Sequence, residues 1–169
     1  MATRWTRDGL FSETGTSPGS DSWGTPRSLF EELNREFNFD LDAAASDENT
    51  MIPIRYITEE MDSLTQDWAR MASSVWLNPP YGRGVGRWIE KAYHESLRGC
   101  TVVVLIFART DTKWWQTWAM KAAQVRLLEG RVHFKQGDRT GPATAPSAIL
   151  VFSEELRAPQ FSKVKLPRK

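Results

Sequence analysis

The chain has 169 residues, 40% of them hydrophobic and 25% charged, which is the composition of a globular protein large enough for one domain with a substantial core. Its single cysteine, Cys100, excludes an internal disulfide framework and fits a reducing compartment such as the cytoplasm. No apolar run reaches membrane-spanning length and no secretory signal pattern is present, so we expect no membrane partner.

The net charge of +1 conceals an uneven distribution of charge along the chain. Residues 1–67 contain 14 acidic and 5 basic side chains, whereas residues 68–169 contain 7 acidic and 17 basic ones. The excess of basic side chains in the second half favours binding of a polyanion there. The alternative is a chance distribution of solvated charges, and composition alone does not separate the two.

The first predicted element is a helix near the N-terminus. Residues 1–22 are rich in Ser, Gly and Thr without apolar periodicity, which predicts a flexible arm. The helix is predicted to follow Trp23, with Thr25 as its N-cap and Pro26 at its first position. Its apolar stripe would consist of Leu29, Phe30, Leu33 and Phe37.

Strands and helices then alternate along the chain. Strands are predicted over 39–45, 55–58, 75–77, 101–107, 125–128, 131–134 and 148–152, and helices over 85–98 and 111–122. The continuously apolar 101–107 is typical of a parallel strand covered on both faces, and 125–134 reads as a hairpin around Glu129-Gly130. The alternation predicts one α/β domain over residues 23–155, with a mostly parallel sheet, an antiparallel edge and helices on both faces. Residues 156–169 are expected to form a loose basic tail.

The segment "VWLNPPYGRG" at residues 75–84 carries the clearest chemical signal. A strand cannot continue through Pro79 and Pro80, so Asn78 and Tyr81 are expected at its carboxyl end, where open α/β sheets bind ligands. The side-chain oxygen of Asn78 and the carbonyl of Pro79 can accept both hydrogens of a planar amino group and aim its lone pair at an electrophile. Tyr81 can stack on the plane of a base. A simple strand-ending turn is the alternative, but this tetrapeptide arises by chance in on the order of one such chain per thousand.

This segment and six other motifs carry a family resemblance. They are, in chain order, "WGTP" (23–26), "LDAAASDEN" (41–49), "LTQDW" (64–68), "WLNPPYGR" (76–83), "ARTDTKWW" (108–115), "EGRVHF" (129–134) and "APSAILVF" (145–152). With them the chain resembles the phage-type, Dam-like DNA adenine-N6 methyltransferases, which use S-adenosyl-L-methionine (SAM). The resemblance implies a Rossmann-like SAM-dependent methyltransferase fold, in which NPPY is the catalytic motif.

The resemblance also implies which residues bind the methyl donor. Trp23, Thr25 and Pro26 would lie against it together with Asn78, and Asp42, Ala43, Ala44 and Ala45 would form the wall that is usually a glycine-rich turn. The chain departs from the wider methyltransferase pattern because it lacks Phe-x-Gly-x-Gly, although alanines still permit close approach to the methyl donor. Either Asp62 or Asp67 would contact the adenosine part, and the sequence leaves that choice open. For Asp42 the alternative is an ordinary turn residue at a strand end.

Contacts to double-stranded DNA are expected from the basic half of the chain. The candidates are Arg83, Arg109, Thr110, Arg131 and Lys135. Asp111 and Thr112 are further candidates, although either could instead be the N-cap of the next helix. His94 and His133 lack acidic or cysteine neighbours at ligand spacing, so we expect no metal.

These observations predict a monomeric enzyme that methylates adenine N6 in DNA after flipping the base out of the duplex. Cytosine-N4 methylation and methylation of a protein glutamine amide remain alternatives, because both substrates present a planar amino group. A non-enzymatic alternative is a DNA-binding phage protein with a decayed active site. We expect it to work in the bacterial host cytoplasm, in restriction evasion or regulation, with short or relaxed specificity because base readout would come from loops.

Overall fold

The computed structural model describes residues 24–136, 139–154 and 159–166. The expected arm over 1–22 and Trp23 lie outside the described residues. The helices are α1 (Arg27–Phe37), α2 (Trp68–Met71), α3 (Val85–Ser96) and α4 (Lys113–Thr117), with 3₁₀ turns at Ser63–Thr65 and Ala119–Lys121. The strands are β1 (Leu41–Asp42), β2 (Ser74–Leu77), β3 (Thr101–Phe107), β4 (Gln124–Glu129), β5 (His133–Gln136), β6 (Arg139–Pro142), β7 (Ser147–Phe152) and β8 (Gln160–Lys165).

The described residues form a six-stranded sheet with the order β1-β2-β3-β7-β4-β8, which confirms the α/β class and the mostly parallel sheet. The pairs β1–β2, β2–β3 and β4–β8 are parallel, whereas β7 runs antiparallel to both β3 and β4. The prediction of an antiparallel edge is therefore wrong, because β7 lies inside the sheet. The physical reason is visible in its burial: every residue of β7 is buried, as an interior strand requires.

Helices cover both faces of this sheet, as predicted. On one face, Leu29, Phe30 and Leu33 of α1 pack against β2, β3 and β7, and the Phe30 ring meets Trp76 edge-on at 5.6 Å. On the other face, Trp88 and Ile89 of α3 pack against alternate residues of the same strands. β3 contributes Val103 and Leu105 to the first face and Val102, Val104 and Ile106 to the second. This explains why its sequence is apolar throughout.

The segments after β4 fold differently from the predicted hairpin. β4 already has β7 and β8 on its two sides, so no edge is left for β5. The chain turns away at Gly130, whose φ of 87° is in the left-handed region that glycine tolerates, and β5 pairs with β6 in a separate two-stranded sheet. The expectation of a loose C-terminal tail is also wrong for its described part. β8 pairs with β4 at the edge of the sheet, and Lys163 forms an ion pair with Glu129 at 2.9 Å.

Helix starts and local strands show further differences from the predictions. α1 begins at Arg27 with Pro26 in the N-cap position, so Thr25 is not the N-cap. Thr112, in contrast, is the N-cap of α4, because its hydroxyl accepts from the Trp115 N–H at 3.4 Å. The strand predicted over 55–58 is reduced to one bridge between Asp42 and Tyr56.

Candidate active site

The candidate site lies where three neighbouring parallel strands end. β1 ends at Asp42, β2 ends immediately before Asn78, and β3 ends two residues before Arg109. Because β1, β2 and β3 run in the same direction, their carboxyl ends meet at one edge of the sheet. In open α/β sheets this edge is where ligands bind.

Asn78 is buried with only half of its amide satisfied. Only 6% of the residue is exposed, and its Nδ2 donates a hydrogen bond to Oγ1 of Thr25 at 3.1 Å. Its Oδ1 has no hydrogen-bond partner among the described residues. A buried acceptor without a donor costs about 1–3 kcal/mol, which makes this oxygen a place where a ligand N–H would be favoured. Pro79, the next residue, is buried as well.

An open cleft with an empty volume of about 210 Å³ lies beside this amide. It is lined by Gly24, Thr25, Asp42, Ala44, Asn49, Met51, Trp76 and Asn78. Four of the residues predicted to bind the methyl donor therefore line one cleft: Thr25, Asp42, Ala44 and Asn78. Pro26 and Ala43, which are also predicted contacts, are neighbours of this lining in the chain, and Ala43 is fully buried.

Asp42 organises the loop on one side of the cleft. It is 3% exposed, and its Oδ2 accepts a hydrogen bond from the Met51 N–H at 2.9 Å. The same loop is closed by Asn49, whose Oδ1 accepts from the Ser46 N–H at 2.7 Å. These two bonds hold residues 46–51 so that Asn49 and Met51 face the cleft.

Tyr81, three residues after Asn78, belongs to an aromatic group. Its ring stacks on Phe107 at a centroid distance of 4.3 Å, and Phe134 of β5 meets it edge-on at 6.1 Å. The guanidinium of Arg109 lies over the ring of Phe107, 5.9 Å from its centroid. Tyr81 also donates through its hydroxyl to the Leu105 carbonyl at 3.3 Å. The stack brings Arg109 and Tyr81, two separately predicted residues, to the same place.

Neither of the two predicted adenosine contacts lines this cleft. Asp67 is the N-cap of α2, accepting from the Arg70 N–H at 3.1 Å, and it forms an ion pair with Arg98 at 2.7 Å. The hydrogen bond from Arg98 lowers the pKa of Asp67. Asp62 is exposed, with a left-handed φ of 47°. Asp67 thus has a structural role that does not require a ligand.

The predicted DNA contacts are on the surface. Arg83, Arg109, Thr110, Arg131 and Lys135 are all exposed. Arg83 is separated from the NPPY segment by Gly82 alone. Lys135 pairs through its backbone with Gly24, at the border of the cleft. Cys100 is buried away from solvent, and burial raises the pKa of its thiol to about 12, which suits a structural residue.

Sequence reasoning missed several residues of the site. Gly24, Asn49, Met51 and Trp76 line the cleft, and Phe107 and Phe134 support Tyr81. Gly24, Asn49 and Trp76 lie inside the quoted motifs "WGTP", "LDAAASDEN" and "WLNPPYGR", so motif membership could have found them. Met51 could not have been found in this way, because it reaches the cleft through the hydrogen bond between its backbone and Asp42.

The described residues contain neither a candidate metal site nor a candidate membrane span. Within 24–136, 139–154 and 159–166, no group of three or more His, Cys, Asp or Glu side chains could hold a metal ion. In the same part of the chain, no helix is both long and apolar enough to cross a membrane.

The fold and site define an α/β protein with an asparagine-proline-proline-tyrosine segment at the carboxyl edge of its parallel strands. The family model of DNA N-6-adenine-methyltransferase (Dam) matches residues 12–168. A DNA N-6-adenine-methyltransferase of Haemophilus phage HP1 is 31% identical over 148 residues, covering 84% of this chain and 83% of that protein. A second, of Escherichia phage T1, is 32% identical over 110 residues, covering 64% of this chain but only 45% of that protein. The chain therefore belongs to the DNA N-6-adenine-methyltransferase family, which confirms the resemblance.

Proposed function

We propose that this protein is a SAM-dependent DNA methyltransferase that transfers a methyl group to the exocyclic N6 of adenine. The observation that carries the proposal is the buried, unpartnered Oδ1 of Asn78 at the end of β2. An acceptor in this position suits a substrate that donates a hydrogen bond, and the adenine amino group is such a donor. Family membership independently supports adenine over other amino-bearing substrates.

Asn78 and Pro79 would act as a clamp on the amino group. The lone pair of this nitrogen is delocalised into the ring, so the group is planar and a poor nucleophile. Acceptance of one hydrogen by Asn78 Oδ1 and of the other by the Pro79 carbonyl would favour a tetrahedral nitrogen with a directed lone pair. Pro80 would hold the turn that presents both acceptors, because its φ is fixed. The catalysis is by positioning and hydrogen bonding.

The chemistry of the cleft fits SAM. The buried carboxylate of Asp42 suits a hydroxyl or ammonium donor, small Gly24 and Ala44 permit close approach, and Met51 offers apolar surface. When bound, SAM supplies an electrophilic methyl group. Thr25, Asp42, Ala44 and Asn78 would hold it, with Trp23, Pro26 and Ala43 as further contacts.

The target base would reach Asn78 only after rotation out of the duplex. Tyr81 would stack on it, because this ring is three residues from Asn78 and is held by Phe107 and Phe134. Arg83, Arg109, Thr110, Arg131 and Lys135 would contact the DNA backbone, since all are exposed and four of them are cationic at neutral pH. The setting we propose is the cytoplasm of a phage-infected bacterium, where host DNA and phage DNA are both present.

The experiment is nucleoside mass spectrometry of DNA incubated with the protein and SAM. The proposal predicts N6-methyladenine and no N4-methylcytosine. N4-methylcytosine as the main product would contradict adenine specificity. If neither modified base forms although SAM binds, methylation of a protein glutamine amide would be tested next. Absence of heat on titration with SAM would support a DNA-binding protein without activity.

A further inference from the structure

Thr25 and Asn78 form a buried side-chain pair at the border of the cleft. They are 53 positions apart in the chain, yet Nδ2 of Asn78 donates to Oγ1 of Thr25 at 3.1 Å. The two residues are 7% and 6% exposed. The amide of Asn78 thus has its donor end on Thr25, while its acceptor end, Oδ1, has no hydrogen-bond partner among the residues that the structure describes.

The orientation of this amide decides what it can bind. A nucleobase amino group only donates, so it is compatible with Oδ1 and incompatible with Nδ2. If the amide were reversed, two donors would face each other in a buried site, at the cost of an unpaired polar group. In the productive orientation Nδ2 needs an acceptor, and the hydroxyl of Thr25 accepts from it. A hydroxyl can also donate to a reversed amide, so the base selects the orientation and Thr25 stabilises it.

The backbone around Thr25 fixes where this hydroxyl lies. Gly24, the residue before it, pairs with Lys135 of β5: the Gly24 N–H donates to the Lys135 carbonyl at 2.6 Å, and the Lys135 N–H donates back at 3.0 Å. Pro26, the residue after it, has a restricted φ. No helix cap competes for the hydroxyl, because α1 has Pro26 at its N-cap and no side-chain capping bond.

We propose that Thr25 is a positioning residue, which holds the Asn78 amide with Oδ1 directed at the amino group of the target base. This inference rests on the proposed function and adds to it, because it gives Thr25 a role in the chemical step besides any contact with the methyl donor. Thr25→Val keeps the size of the side chain but removes the acceptor, whereas Thr25→Ser keeps the acceptor.

The test compares the two variants in kcat at saturating SAM and DNA. We expect Thr25→Val to lower kcat about tenfold to a hundredfold, the effect of one unpaired buried donor, and Thr25→Ser to stay within about threefold of the parent. Thr25→Ser should keep the SAM affinity and thermal stability of the parent, whereas Thr25→Val should lose some stability because it leaves Nδ2 of Asn78 unpaired. Saturating SAM keeps any weaker contact with the methyl donor out of the comparison of kcat. Equal losses of kcat in both variants, or a loss in Thr25→Val explained by weaker SAM binding, would overturn the inference.

A second readout does not depend on activity. The side-chain NH₂ signals of Asn78 can be assigned in a ¹⁵N spectrum by their disappearance in Asn78→Asp. Thr25 should slow the hydrogen exchange of these protons, so Thr25→Val should accelerate it and Thr25→Ser should not. Unchanged exchange in Thr25→Val would contradict the inference even if the protein methylates no DNA, whereas a missing product with altered exchange would contradict only the proposed function.

Discussion

The ring of Tyr81 stacks on the ring of Phe107, with centroids 4.3 Å apart and planes inclined by 19°. Phe107 is the last residue of β3 and is 3% exposed, so it is a rigid support. The contact joins the end of β2 to the end of β3 at the edge of the sheet where the proposed target base would bind. Tyr81 therefore presents its ring from a fixed position, which lowers the entropy cost of stacking on a ligand.

The first prediction concerns this stack. Tyr81→Ala should weaken DNA binding by about 1–3 kcal/mol, the usual value of one base-stacking side chain, while SAM binding changes little. Tyr81→Phe should keep most of the affinity, because it removes only the hydroxyl that donates to the Leu105 carbonyl. Calorimetry with DNA and with SAM measures both. Equal losses for the two ligands in Tyr81→Ala would show that the ring does not belong to the DNA side of the site.

A substitution of Asp42 should weaken SAM binding and leave DNA binding nearly unchanged. Asp42→Asn removes the buried charge, and we expect it to weaken SAM binding by on the order of tenfold to a hundredfold with little effect on DNA binding. Asp40→Asn is the matched control. Asp40 lies at the other end of β1, where its carboxylate accepts from the Ser73 and Ser74 N–H groups at 3.1 and 2.9 Å. If calorimetry gives the same SAM affinity for both variants, Asp42 does not bind the methyl donor.

The uneven charge predicts a strong dependence of DNA affinity on salt. With about four to six phosphate contacts, the slope of log K against log salt should be about −4 to −5, because each neutralised phosphate releases counterions. Arg131→Ala or Lys135→Ala should make the slope shallower by about one unit on every DNA sequence. Arg109→Ala should also lower turnover, because Arg109 lies over Phe107 in the aromatic group.

Arg35→Ala provides the control for this series. Arg35 is exposed at the end of α1, in the acidic half of the chain, so its loss should leave the slope unchanged. Salt-independent affinity, or the same slope in the Arg131 and Lys135 variants as in the parent, would mean that the basic excess is a solvated surface.

Much of the site was predictable from sequence because its residues follow strands directly. Asp42, Asn78 and Arg109 each come at or just after the end of an apolar strand, and parallel pairing brings such ends together. The sequence predicts Thr25 both as a contact of the methyl donor and as a helix N-cap, and the structure excludes the second role. Its hydrogen bond to Asn78 connects residues 53 positions apart, and no local pattern encodes such a contact.

The order of the later strands could not be predicted, for a similar reason. The sequences of β4 and β5 are adjacent and suit a hairpin, but both sides of β4 are taken by β7 and β8. Strand pairing over long separations depends on which apolar surfaces remain to be covered, and a local pattern does not contain that information. The lysines of β8 suggested a loose tail, although lysine is also common on edge strands, where it opposes further pairing.

A stability prediction follows from the ion pair between α1 and β4. Arg126 contacts both carboxylate oxygens of Glu36, at 2.5 and 2.6 Å, and lies over the ring of Phe37. The hydrogen bond from Arg126 lowers the pKa of Glu36. Because the folded-state pKa is below the unfolded one, the pair stabilises the protein above the unfolded value of about 4.3, and this contribution is lost as the pH falls through the folded value.

Glu36→Gln should therefore lower the free energy of unfolding near neutral pH by less than about 1 kcal/mol, since Glu36 is half exposed. The difference from the parent should disappear in acid. Glu32→Gln, an exposed neighbour on α1, is the control and should change stability less. Denaturant unfolding across the acid range measures both, and a difference that persists or grows in acid would contradict the assigned pair.

The most direct test of the account is the rate of N6-methyladenine formation by Asn78→Ala and Asn78→Asp. Asn78→Ala removes the acceptor, so we expect methyl transfer at saturating SAM to fall about a hundredfold to a thousandfold, with the fold largely intact. Asn78→Asp should retain some activity, because a carboxylate also accepts hydrogen bonds. Turnover near that of the parent in Asn78→Ala, measured by nucleoside mass spectrometry with SAM binding verified, would contradict the clamp.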